Sequence, residues 1–326
     1  MKTQAIVAGV DHIARLESVE LPVLTDTRIR INTRFSGVSC GTEADCISGR
    51  AAYKKRPFIT GYQAVGEVVE IGRLVRAVRV GDMVFTNGGG LWDQPHLAGG
   101  SHARELVVED TNAFRLSPSN PSLQTSAYAA LGAVGLNGIS QMHPEAGRVL
   151  LVMGLGMLGQ LTGKLAQLRG LRVIGANRSA WKLDTARSFG FDAVCAPEAA
   201  ELEAAVKAIS LGGIKYAVDL TGNQQIFNLA LSQLEAFGEL SLLGYYPDPF
   251  TVNFDTCHAK QLTIYNPVGL GGYLPEVIRW IENGRLNVEP LIHHHITPRG
   301  ITDFYKDLLQ NHSQYLGAVV DWQATN

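Results

Sequence analysis

The stretch from Arg148 to Gly159 sets what this chain can become: Arg-Val-Leu-Leu-Val-Met runs straight into Gly-Leu-Gly-Met-Leu-Gly. The apolar run reads as a strand of the buried type. The glycines that end it, Gly154, Gly156 and Gly159, stand at G-x-G-x-x-G spacing. Gly154 permits a tight strand-to-helix turn. Gly156 lets the backbone approach a pyrophosphate, and Gly159 lets the next helix lie close on the strand. Leu155, Met157 and Leu158 complete the phosphate-binding segment. The helix N-terminus that follows offers free N–H groups and a partial positive charge to an anion. A helical pattern over Gln160–Arg169 and a second strand, Arg172–Ala176, supply the context the glycines need, so a dinucleotide site is expected here.

The alternation continues to residue 266. Helix Trp181–Phe189, strand Ala193–Cys195 and helix Ala199–Ile209 are followed by strand Tyr216–Leu220, helix Gln224–Leu234, and strands Glu239–Leu243 and Gln261–Tyr265. Strands that alternate with helices predict an α/β domain, a doubly wound parallel sheet. Ligands of such sheets bind at the carboxyl ends of the strands, so Thr221, Gly222, Gly244 and Tyr245 are expected to line the groove. An acidic residue about 20 positions past the glycines usually holds the ribose 2′-hydroxyl of NAD. Here Asn177 stands 23 residues past Gly154, followed by Arg178, Ser179 and Lys182. An amide, a guanidinium, a hydroxyl and an ammonium suit a 2′-phosphate, which favours NADP(H) over NAD(H). Ser179 is equally read as the N-cap of the next helix.

Residues 1–118 read differently. Gln4–Ala8, Arg28–Phe35, Ala64–Ile71, Met83–Phe85 and Ala103–Val108 are short, apolar and bounded by turn residues, the pattern of a β-barrel-like domain with few helices. The Gly- and His-rich loop Asn87–His102 is a candidate substrate lid. The Ala-rich helix Ser126–Ile139 leads into the nucleotide domain. Beyond residue 266 come helices Leu274–Asn283 and Ile301–Gln310 and a strand Gly317–Trp322, a tail expected to return to the first domain. The division expected is therefore 1–118 with 267–326, and 119–266 between them. Net charge of −2 gives no reason for a nucleic-acid or anionic-membrane partner, and no apolar run is long enough to span a bilayer. The N-terminus reads as a first strand, and four scattered cysteines fit reduced thiols; a cytoplasmic location is expected.

Several motifs in order along the chain resemble the medium-chain dehydrogenase/reductase superfamily, the relatives of zinc alcohol dehydrogenase. They are Phe-Ser-Gly-Val-Ser-Cys-Gly-Thr-Glu (35–43), Gly-Tyr-Gln-Ala-Val-Gly-Glu-Val-Val-Glu-Ile-Gly (61–72), Val-Gly-Asp-Met-Val (80–84), the Gly154 motif and Asp-Leu-Thr-Gly (219–222). The resemblance implies a GroES-like β domain, an inserted Rossmann domain, hydride transfer with a nicotinamide, and homodimers built through the Rossmann sheet edge, here Glu239–Tyr265. It departs at the metal. Cys40 matches the first zinc ligand, but the family's Gly-His-Glu is Gly61-Tyr62-Gln63, and Leu131–Gly135 carries no third ligand. The four-cysteine structural zinc lobe is absent too. One ligand cannot hold a catalytic zinc, which needs three and an open position. Neither zinc is expected, with a rearranged set of Cys40 with His96 or His102 as the alternative. His293 and His295 fall on one face of a strand and read as surface histidines. Ser-x-Gly-Thr-Glu (39–43) resembles a shorter branch that includes the dehydrogenase of the bacteriochlorophyllide hydroxyethyl group and polyol-type dehydrogenases.

Without a metal, side chains must stabilise the developing oxyanion and supply its proton. The resemblance puts Thr42 at the proton-relaying hydroxyl and Tyr62 where a metal ligand stood. Cys40 then lines the site, Tyr53 and His102 are further candidates, and Glu43 is expected to make an ion pair or a hydrogen bond near the cofactor. Three functions fit. The first is a zinc-independent NADP(H)-dependent dehydrogenase of a cyclic or bulky secondary alcohol. The second is an enone or quinone reductase adding hydride to a conjugated C=C. The third is a nucleotide-binding protein without turnover.

Overall fold

The computed structural model describes residues 1–51, 55–88, 92, 100–210 and 213–324. The chain divides into two compact units: residues 1–130 with 275–326, and residues 131–274.

The first unit is built on the long strand Arg28–Val38, which pairs antiparallel with Gln63–Ile71, Glu105–Glu109 and Gly317–Asp321. Irregular register at Arg30/Ile31 and Thr33/Phe35 bends it, as bulges do. Gln63–Ile71 continues the sheet to Met83–Asn87 and Ala113–Arg115, and Ile292–Ile296 closes its other side beside Gly317–Asp321. A three-stranded sheet, Ala14–Glu20, Lys2–Ala8 and Phe58–Ile59, completes the β structure. One apolar cluster gathers Ile29, Ile31, Val68, Val84 and Leu106. A second gathers Ile6, Val38, Ile47, Phe58, Tyr305, Val320 and Trp322, so the last strand shares its core with the first. Residues 119–130, read from sequence as part of the nucleotide domain, belong to this unit. The buried Tyr128 is the reason: its hydroxyl donates to Ala318 O at 2.5 Å and accepts from Ala318 N at 2.6 Å.

The second unit holds six parallel strands, labelled within it β1 (Val149–Met153), β2 (Arg172–Ala176), β3 (Ala193–Cys195), β4 (Ile214–Asp219), β5 (Leu234–Leu242) and β6 (Thr263–Tyr265). Their order is 3-2-1-4-5-6, the doubly wound arrangement whose strand order reverses between β1 and β4. The sheet lies in an apolar core that includes Leu151, Ile174, Ala217, Leu240 and Phe227. β1 is buried at every position, as its unbroken apolar sequence requires.

Candidate functional site

In the second unit three turns meet at the carboxyl ends of β1, β4 and β5. Gly154 leaves β1 with φ of +98° and donates its N–H to Ala176 O at 2.9 Å, tying it to the end of β2. Leu155 is fully buried, and Gly156 is the exposed N-cap of helix Met157–Leu168, with no side-chain cap and nothing within 4 Å of where a Cβ would stand. Met157 is buried on the helix's first turn and Leu158 half-buried. A Cβ on Gly159 would lie 1.9 Å from Gly154 O, so only glycine lets this helix begin here. Across the turn, a Cβ on Gly154 would touch Thr221 Cγ2 at 3.0 Å; one on Gly244 would lie 2.5 Å from Gly222 N, and one on Gly222 2.0 Å from Tyr245 O. The residues expected at 154–159, 221–222 and 244–245 are therefore neighbours, in a cradle whose helix N-terminus is open. An anionic pyrophosphate fits such a cradle.

The residues after β2 take distinct roles. Asn177 Oδ1 accepts the Arg178 N–H at 2.8 Å and holds the turn. Arg178 is exposed and pairs with no carboxylate among the described residues. Ser179 occupies the N-cap of helix Ala180–Ser188 without a side-chain cap bond. Lys182, expected from sequence to face a phosphate, is buried, with its ammonium 5.3 Å from the Trp181 ring centroid. The helical period explains the difference, since its backbone lies against the preceding helix, where Gln160 Nε2 donates to Lys182 O at 2.9 Å.

In the first unit Cys40 and Thr42 stand on helix Cys40–Ser48, and His102 meets Glu43 of the same helix. Glu43 sits on its first turn, and Glu43 Oε1 accepts the N–H of the N-cap residue Ser39 at 2.7 Å. Glu43 Oε2 takes the Tyr305 hydroxyl and stands 3.1 Å from His102 Nε2. His102 Nδ1 lies 2.7 Å from Ser36 Oγ, which accepts from Trp322 Nε1 at 2.8 Å. Indole N–H is a donor only, so Ser36 Oγ accepts it, and the same oxygen meets His102 Nδ1. His102 thus bridges Ser36 Oγ and the Glu43 carboxylate through its two ring nitrogens. His102 is fully buried. Sequence reading placed it as a further catalytic candidate on a loop; the structure gives both of its ring nitrogens partners, one of them Glu43. Gly61 makes room for it, with φ of +77° and a Cβ position 2.7 Å from the imidazole ring.

Cys40 is buried, Thr42 exposed and Tyr62 half-buried. Burial pushes the Tyr128 phenol well above its ordinary value; the Cys40 thiol, Glu43 and Tyr62 beside it push the same way, while a hydrogen bond at Ala318 opposes them. Tyr53, His96 and most of the loop Asn87–His102 lie outside the described residues. Sequence reading missed Ser36, Tyr128, Tyr305 and Trp322; apart from the resemblance over 35–43, which includes Ser36, no local pattern marks them.

Among the described residues no group of three or more His, Cys, Asp or Glu could hold a metal ion. Among them also, no helix is long and apolar enough to cross a membrane. His293 and His295 are exposed on strand Ile292–Ile296, bonded to Pro290 O and Gln124 Oε1.

Comparison with known proteins agrees with both units. Residues 25–118 match the family described as alcohol dehydrogenase GroES-like domain, and residues 158–283 match zinc-binding dehydrogenase. The chain is 27% identical to the L-threonine 3-dehydrogenase of Pyrococcus horikoshii over 86% of its length and 87% of that protein's. It is 23% identical to the (R,R)-butanediol dehydrogenase of Neisseria gonorrhoeae, over 94% and 96%. Its fold matches 2R,3R-butanediol dehydrogenase from Bacillus subtilis with a TM-score of 0.86 at 19% identity, covering 98% of this chain and 99% of that one. A Sinorhizobium meliloti protein solved with NADP matches with a TM-score of 0.87, also at 19% identity and with the same coverage. Taken with the GroES-like and Rossmann architecture, these matches show that the chain belongs to the medium-chain dehydrogenase/reductase superfamily and is an enzyme of its alcohol dehydrogenase/reductase kind.

Proposed function

We propose that the protein interconverts a secondary alcohol, cyclic or bulky, and its ketone, using NADP(H) and no zinc. The observation that carries this reading is the pairing of an open glycine cradle with a family metal position held by Tyr62. Bound at the cradle, the nicotinamide supplies or accepts the hydride. Gly154, Gly156, Gly159 and the helix N-terminus would hold its pyrophosphate, and Thr221, Gly222, Gly244 and Tyr245 would wall the groove. Arg178, with Asn177 and the uncapped hydroxyl of Ser179, would take the 2′-phosphate, since a guanidinium facing solvent without a carboxylate is available to an anion. On the substrate side the Thr42 and Tyr62 hydroxyls would donate to the carbonyl oxygen as hydride reaches its carbon, and one of them would pass it a proton. In the oxidative direction the same group accepts that proton. Cys40 would line this site. The small-molecule substrates of the threonine and butanediol dehydrogenases support the alcohol chemistry.

Metal analysis of the purified protein with NADPH turnover on ketones and on conjugated alkenes tests the reading. Turnover on ketones with substoichiometric zinc supports it. Consumption of NADPH only with conjugated alkenes would make it an enone reductase, the second function open to a site without metal. Nucleotide binding without turnover would make it a binding protein. Arg178→Ala is expected to raise the Kd for NADPH about tenfold or more and leave that for NADH unchanged, the loss of a charge-assisted phosphate contact. Equal losses for the two cofactors would remove Arg178 from the phosphate site. We also infer a homodimer, formed through the outer edge of β6, which has no partner strand among the described residues. Light scattering tests it.

A further inference from the structure

Asp219, the last residue of β4, is fully buried, and both turns that wall the cradle hang from it. Asp219 Oδ1 accepts the Thr221 N–H at 2.8 Å and the Thr221 hydroxyl at 2.7 Å. Its main-chain oxygen accepts Leu243 N at 2.8 Å and Gly244 N at 2.9 Å. Asp219 Oδ2 takes the hydroxyl of Tyr246. The Tyr246 ring is anchored separately, 4.8 Å from the Phe250 ring centroid, and Phe250 packs edge-on against Phe227 at 5.2 Å. Tyr246 is thus fixed by an apolar contact on one side and a charged acceptor on the other. The turns it joins have no slack. The Gly222 and Tyr245 backbones are too close for a Cβ, and Thr221 in turn abuts Gly154. A displacement of residues 244–246 therefore passes to Gly222 and from Thr221 to the first glycine of the cradle.

We propose that Tyr246 is a positioning residue of the nucleotide site. By donating to Asp219 it holds the Gly244–Tyr246 turn against Thr221–Gly222 and fixes the width of the groove that receives the cofactor. This rests on the nicotinamide reading above. Burial raises the Asp219 carboxyl above the usual carboxylate range, while the Tyr246 and Thr221 bonds draw it back down, so the same bonds that hold the turns favour its anion.

Tyr246→Phe keeps the ring against Phe250 and removes only the donor. In a fluorescence titration with NADPH its Kd is expected to rise about tenfold, the weight of a hydrogen bond to a charged group. In steady state the loss is expected in KM for NADPH and not in kcat, because the turn binds ground and transition states alike. Phe250→Leu is the control. It loosens the ring packing but keeps the hydroxyl bond, and is expected to lower the unfolding midpoint without this rise in Kd. If Tyr246→Phe does not fold, Thr221→Val removes the hydroxyl bond to the same carboxylate, leaving the Thr221 N–H bond in place, and is expected to move Kd in the same direction. An unchanged Kd in the folded variant, with wild-type protein binding NADPH normally, overturns the proposal. So does an equal rise in Phe250→Leu. Wild-type protein that binds neither NADPH nor NADH overturns the nicotinamide reading itself, and this proposal with it.

Discussion

Exchanging Glu43 for glutamine removes one charge and turns one acceptor into a donor, at a site where three donors converge. The carboxylate takes Ser39 N–H on Oε1 and both the His102 imidazole and the Tyr305 hydroxyl on Oε2. Glutamine can keep its carbonyl at the Oε2 position, and then its NH₂ faces the Ser39 N–H. Flipped, it faces two donors instead. The milder orientation still leaves two buried donors opposed, each costing about 1–3 kcal/mol, while the remaining bonds lose their charge assistance. Removing a buried charge returns part of its desolvation penalty. The balance is a loss of about 2–4 kcal/mol of folding stability, a large share of the roughly 5–15 kcal/mol a domain possesses. Guanidinium unfolding of Glu43→Gln against wild type reads this directly. Tyr305→Phe removes one donor from the same oxygen, and the double variant is expected to lose less than the singles together by about 1 kcal/mol or more. A loss below about 0.5 kcal/mol for Glu43→Gln, or strict additivity of the pair, would refute the view that donors from distant segments converge on one carboxylate.

Gly61→Ala combines a left-handed φ with a Cβ 2.7 Å from the His102 ring, and is expected to cost about 2–4 kcal/mol in the same unfolding assay. Gly147→Ala, with φ of +82° and open space around it, is expected to cost only the backbone strain of about 1 kcal/mol, so equal losses would deny the packing role of His102. His294, stacked 4.7 Å from Tyr315, has its imidazole held below the ordinary histidine value by burial, with the nearby His293 and His295 helping and Asp307 opposing. Its folded value lies below the unfolded one of about 6.5, so its contribution is complete above that pH and is lost as pH falls through the folded value. The unfolding midpoint of wild type is expected to drop more than that of His294→Gln between about pH 7.5 and 5.5; equal drops would contradict the shift.

The nucleotide half of this molecule is written locally. β2, β3, helix Ala199–Ile209 and the glycine turn stand where the sequence puts them, because each is set by residues within a few positions of one another: an apolar run, a helical period, a glycine where a Cβ would collide. Helix Phe254–Lys260 escaped because most of it faces solvent and no apolar stripe marks it; Asn253, whose side chain accepts Thr256 N–H, was its one legible sign. Strand Ala14–Glu20 escaped for a related reason. It is polar and mostly outward-facing, and only its seven-residue pairing with Lys2–Ala8 makes it a strand.

The GroES-like unit is not written locally, and the reason is the range of its bonds. Cys40, Thr42 and Tyr62 came from matching short motifs, and helix Cys40–Ser48 that carries two of them has no clean apolar period. What fixes that helix is Glu43, held by a tyrosine 262 positions away; His102, 59 positions away, leads on to Ser36, which meets Trp322 across 286. No window of sequence contains such a set, because hydrogen bonds between strands distant in the chain leave no periodicity behind. The resemblance supplied Glu43 through its motif but not its partners. Only the return of strand Gly317–Asp321 to pair with Arg28–Val38 brings Trp322 and Ser36 together, so this network is complete only once the last strand is in place.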